Sequence, residues 1–91
     1  MNGKKIYRVI ETKSYKKSLQ TDGNLYLYLP PIQEFVELSP YDPFQGDVEK
    51  MKGTKNMYKK RFGDPWKLLF TIDKKDKIVE LLKVLLRENA Y

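Results

Sequence analysis

The chain has 91 residues, 41% hydrophobic, 33% charged and 13% aromatic, which suits one folded domain and not a disordered segment. It has no cysteine and no histidine, which excludes a disulfide framework, thiolate or imidazole zinc sites, and a histidine general base. Proton transfer would fall to Glu, Asp, Lys, Tyr or water. The balance of 18 Lys and Arg against 12 Asp and Glu, net +6, favours a polyanionic partner such as RNA, DNA or an acidic protein segment.

The N-terminus is basic but lacks an apolar run of signal-peptide length, and no segment has membrane length. The chain reads as cytoplasmic, with no membrane partner. Lys5 to Thr12 places Ile6, Arg8 and Ile10 on one side and Tyr7, Val9 and Glu11 on the other, which predicts a strand. Ser14 is the expected cap of a short helix through Gln20, with Tyr15 and Leu19 inward and Lys13, Lys16 and Lys17 outward.

A turn is expected at Thr21 to Asn24. Leu25, Leu29, Ile32 and Val36 then recur at helical spacing, widened by Tyr28 and Phe35. Pro30 and Pro31 interrupt the stripe, so the segment is kinked or split, with Pro31 starting the second piece. A loop follows from Ser39 to Gly46.

Met57 to Phe62 reads as a strand, Gly63-Asp64-Pro65 as a turn, Trp66 to Ile72 as a strand, and Asp73 to Lys77 as a second turn. Ile78 to Leu86 is ambiguous. Its leucines and the spacing of Ile78, Leu81, Leu82, Leu85 and Leu86 favour a helix, whereas the short polar turn before it favours a hairpin strand.

If Met57 to Phe62 is a strand, Lys59 and Arg61 share one face and Tyr58, Lys60 and Phe62 the other. An antiparallel sheet could then gather Lys59, Arg61, Lys67, Arg87 and Tyr91, an arrangement suited to a phosphate. Spacing alone fits a basic solvent-facing surface without chemistry better than a catalytic site, and Glu49 fits a simple surface ion pair with one of these cations.

Three stretches in series resemble the RelE/ParE superfamily of toxin–antitoxin toxins: DVEKMKG at 47–53, MYKKRFGDPWKLLFTID at 57–73 and VLLRENAY at 84–91. SYKKSL near the N-terminus is similar to the family's first helix, whereas 25–31 departs from the pattern. The resemblance implies an α+β fold: a small antiparallel sheet, made of the N-terminal strand and three C-terminal strands, packed against two N-terminal helices as one domain over residues 1–91. It implies that Ile78 to Leu86 is a strand.

The implied function is a metal-independent mRNA endoribonuclease without a cofactor, acting on mRNA at the ribosome and silenced by a cognate antitoxin. In the implied chemistry the ribose 2′-hydroxyl attacks the adjacent phosphate. Carried over by position, Arg61 and Arg87 stabilise the phosphate and Lys59 carries a proton. Tyr91 orients or deprotonates the hydroxyl or stacks on a base, and Glu49 lies near the carboxylate that serves as base in some members. Lys50, Lys52, Lys55 and Lys60 are the expected RNA-binding positions. Lys67 stands where the family has arginine, and Pro65 adds a residue before it. The alternative on the same fold is a ParE-like gyrase inhibitor or an inactive binding protein.

Overall fold

The computed structural model describes residues 4–20, 29–62 and 66–86. The element order is β1 (Arg8–Glu11), α1 (Lys13–Ser18), α2 (Leu29–Leu38), β2 (Val48–Lys50), β3 (Met57–Phe62), β4 (Trp66–Asp73) and β5 (Ile78–Leu86). The strands form one five-stranded sheet in the order β1-β5-β4-β3-β2. This is the expected α+β architecture, with two differences. The sheet gains β2 as an edge strand, and it is mixed, because β1 lies parallel to β5 while the other pairs are antiparallel. The helices intervene between β1 and the remaining strands, so the last strand can return alongside the first in the same direction.

β4 is the central ruler. Its residues alternate between buried and half-buried, with Trp66, Leu68, Phe70 and Ile72 in the core and Lys67, Leu69, Thr71 and Asp73 on the opposite face. Ile32 and Phe35 of α2 cover the inner face, and the Phe35 ring meets Phe62 and Phe70 edge-on at centroid distances of 5.7 and 5.3 Å. Tyr15 and Ser18 bring α1 into the same core region.

The N-cap of α1 is Thr12, not Ser14. Its Oγ1 accepts from the Tyr15 N–H at 3.2 Å and also donates to the Leu81 carbonyl at 2.7 Å. A hydroxyl two residues earlier wins because it both caps the helix and ties it to β5. Ser18 repeats the tie at the far end of α1, donating to the Tyr15 carbonyl and accepting from the Val84 N–H at 2.9 Å. The β1–β5 pairing runs only to Leu81, so α1 supplies a partner for the β5 edge beyond it.

α2 begins at Leu29, two residues before the expected Pro31, with both prolines in its first turn. A missing N–H costs no intrahelical hydrogen bond there. The turn at 21–24, the stripe positions Leu25 and Tyr28, and the turn at 63–65 lie outside the described residues.

Ile78 to Leu86 is a strand, as the resemblance implied. Its register against β4 shifts at Leu69/Phe70, where Leu69 faces Lys83 but Phe70 faces Leu81. That bulge changes the inward parity, so Val79 and Leu81 are buried before it and Val84 after it. The turn before β5 matches the expectation from DKKDK. The Asp73 Oδ1 accepts from the N–H groups of Lys75 and Asp76, both at 3.0 Å, and Lys77 takes a positive φ of 58°. Among the described residues no helix is long and apolar enough to cross a membrane.

Candidate active site

The face of β3 turned away from the helices carries Lys59 and Arg61, because Tyr58 and Phe62 take the alternate positions and are buried. β2 runs antiparallel beside it with Glu49 opposite Lys59, and β4 lies on the other side with Lys67 opposite Arg61. Cross-strand partners point to the same face. Asp47, Glu49, Lys59, Arg61 and Lys67 therefore line one small, solvent-open cleft.

Two ion pairs organise it. Lys59 Nζ lies 3.2 Å from Glu49 Oε1, and Arg61 Nε lies 3.6 Å from Asp47 Oδ2. The Lys59 side chain is 32% exposed, whereas the other three are 60–68% exposed, so solvent screens both pairs. Pairs of this kind contribute at most about 1 kcal/mol. An incoming phosphate can exchange with these carboxylates at small cost. Lys67 has no carboxylate within ion-pair distance among the described residues, leaving three cations against two anions in the cleft.

Gly46 sets the approach of the acidic pair. It has a φ of +74°, and its carbonyl accepts from the Val48 N–H at 3.0 Å, turning the chain into β2. The Lys60 ammonium lies against Gly46 where a side-chain carbon would sit. Lys60 itself is on the helix side of β3, with Nζ 5.4 and 5.2 Å from the ring centroids of Phe35 and Phe62.

The structure thus brings together Glu49, Lys59, Arg61 and Lys67 from the sequence-predicted set. Arg87 and Tyr91 lie outside the described residues. Lys60 is on the other face, and Lys50, Lys52 and Lys55 are exposed at the end of β2 and in the loop after it, away from the cluster. Sequence reasoning missed Asp47. Asp47 lies immediately before β2, and it comes beside Arg61 only through the β2–β3 register, in which Val48 faces Lys60 and Glu49 faces Lys59.

No family model matches the sequence, and no curated protein matches it. Among solved structures, the chain is 30% identical to a protein of the archaeal RelE–RelB complex from Pyrococcus horikoshii OT3 over 93% of this chain and 99% of that one, with a TM-score of 0.63. The chain belongs to the RelE family of toxins of toxin–antitoxin systems. Two more distant structures share the fold. The RelBE2 toxin–antitoxin complex of Mycobacterium tuberculosis aligns at 24% identity and a TM-score of 0.67, covering 89% of this chain and 98% of that one. The RelB–RelE complex of Methanococcus jannaschii aligns at 23% identity and 0.68, covering 90% and 94%.

For a RelE-family chain, the five-residue cleft has a plain chemical capacity. Cations from adjacent strands can surround a tetrahedral anion, and a carboxylate stands 3.2 Å from an ammonium that could pass a proton.

Proposed function

We propose that this RelE-family toxin is a metal-independent mRNA endoribonuclease that works on ribosome-associated message and is silenced by a cognate antitoxin. The observation that carries this reading is the convergence of Lys59, Arg61 and Lys67 with Glu49 in one cleft. The partners named in the solved complexes, RelB proteins bound to RelE, support the antitoxin assignment.

The chemistry divides among these groups. Arg61 and Lys67 hold the non-bridging oxygens of the scissile phosphate, with Arg87 as a third cation by resemblance. Glu49 takes the proton from the ribose 2′-hydroxyl as its oxygen bonds to phosphorus. Lys59 gives a proton to the departing 5′-oxygen as the old P–O bond breaks, leaving a cyclic phosphate and a free 5′-hydroxyl. Tyr91 orients the hydroxyl or stacks on a base. Displacement of Glu49 and Asp47 from their ion pairs by RNA frees one carboxylate to act as base and one guanidinium to meet the phosphate.

Expression of the wild-type chain without antitoxin is expected to arrest growth and to cut translated mRNA. Arg61→Ala should lower the cleavage rate about 10²–10³-fold, the usual loss for one group that stabilises transition-state charge. Undiminished cleavage by both Arg61→Ala and Lys59→Ala variants would remove those roles. DNA damage without mRNA cleavage would point instead to gyrase.

A further inference from the structure

Three of the lysines outside the candidate active site come together at the other end of β3. Lys50, Lys55 and Lys74 line an open cleft with Asn56, Tyr58, Ile72 and Asp73. Lys50 faces Tyr58 across the β2–β3 ladder, and Tyr58 is a core residue. Parity therefore opens this cleft on the helix side of the sheet, opposite the face that carries Lys59 and Arg61.

The electrostatics of the two clefts differ. In the first, Lys59 and Arg61 each face a carboxylate. In the second, none of the three lysines has an ion pair among the described residues. The lining carboxylate, Asp73, is committed to the β4–β5 turn through the Lys75 and Asp76 N–H groups. Lys74 Nζ sits 5.2 Å over the Phe44 ring, which is 39% exposed and packs edge-on against Tyr58 at 5.5 Å. Asn56 adds a neutral polar residue to the lining beside the cations. Three lysines without ion pairs, with the exposed Phe44 ring beside Lys74 at the margin of the cleft, suit the closely spaced charges of a phosphodiester backbone whose unstacked bases can pack on an aromatic surface.

We propose that this cleft binds an unpaired RNA segment that is not the one cut, anchoring a long RNA while the other face acts on a different stretch. The proposal rests on the reading of the chain as an RNA-cleaving toxin, but its test reads binding and not cleavage.

The experiment measures binding of a labelled 20-nucleotide oligouridylate to the full chain as salt is varied. Three backbone contacts to a single strand correspond to a salt slope of about 2 in log Kd against log salt, at roughly 0.7 per contact. The triple variant K50A/K55A/K74A should lose that increment of slope, whereas K50R/K55R/K74R should keep it. The charge-matched variant K13A/K16A/K17A should keep it as well. An equal loss of slope in the charge-matched variant, or no loss in K50A/K55A/K74A, overturns the proposal. Loss of antitoxin affinity in K50A/K55A/K74A with an unchanged RNA slope overturns it too, by assigning the cleft to a protein partner. Absence of cleavage by the wild-type chain with the slope difference intact would defeat the nuclease reading and leave the RNA-binding cleft standing.

Discussion

Lys67 faces Arg61 directly across the β3–β4 ladder, and like charges so placed oppose folding by a few tenths of a kcal/mol up to about 1 kcal/mol. Asp47, on the other flank of Arg61, offsets that repulsion in the free protein. It also occupies the guanidinium that the proposed chemistry gives to a phosphate. Asp47→Asn is therefore expected to lower KM for RNA about threefold to tenfold with kcat nearly unchanged, while costing less than about 1 kcal/mol of stability. In an Arg61→Ala background the same substitution should have little effect on KM, because the competition is for that side chain. A drop in kcat at constant KM would instead make Asp47 part of the chemistry. At Lys67 the contrast is between a point charge and a fork: Lys67→Arg can grip two phosphate oxygens at once, so it is expected to raise kcat/KM by roughly tenfold in the same cleavage assay. No gain would mean that Lys67 lies outside the phosphate shell.

At the scale of the elements, the ties between α1 and β5 bear most directly on stability. Ser18→Ala removes the acceptor of the buried Val84 N–H, which the β1 ladder does not reach. An unsatisfied buried donor costs about 1–3 kcal/mol, a loss measurable by urea unfolding. Phe35→Ala, which empties the space between Phe62 and Phe70, should cost more, about 3–5 kcal/mol. These elements also show why parts of the fold were readable in the sequence and parts were not. β4 was readable from its aromatic and apolar run between two turns, although Leu69 breaks the polar side of its alternation, and β3 from Tyr58 and Phe62 set among charged neighbours. β5 hid its period, because the bulge opposite Leu69 and Phe70 inserts a parity change that mimics helical spacing. Its identity came through the resemblance and the polar turn. β2 is three residues long, too short to show a period, and its role emerges only when Glu49 meets Lys59. The Thr12 cap lost to Ser14 in the reading because its second partner, the Leu81 carbonyl, is 69 residues away. Of the candidate site, Lys59 and Arg61 were accessible from alternation, and Glu49 came from its place just before the basic run and from the resemblance. Asp47 required the pairing register.

For the molecule as a whole, the alkaline limb of stability isolates one buried contact. Tyr15 is 3% exposed, and burial, reinforced by the Glu11 carboxylate, raises its phenol from 10 to about 12. The unfolded chain releases this proton from about pH 10, whereas the folded chain holds it until about pH 12. Between those values the folded state binds more protons than the unfolded one, so stability falls as pH rises. Below about pH 10 both states are protonated and the contribution is fully present. The two-unit separation corresponds to about 2–3 kcal/mol lost across the window. Because α1 is held to β5 through Thr12 and Ser18, ionisation of Tyr15 within that helix should loosen the helix layer together with the sheet edge. Urea unfolding of the wild type between pH 9 and 12 should therefore show a steeper decline than that of Tyr15→Phe, which has no proton to lose. Glu11→Gln should move the onset of the decline in the wild-type background, with no corresponding movement in the Tyr15→Phe background. Parallel pH profiles for wild type and Tyr15→Phe would show that the phenol does not couple folding to alkaline pH.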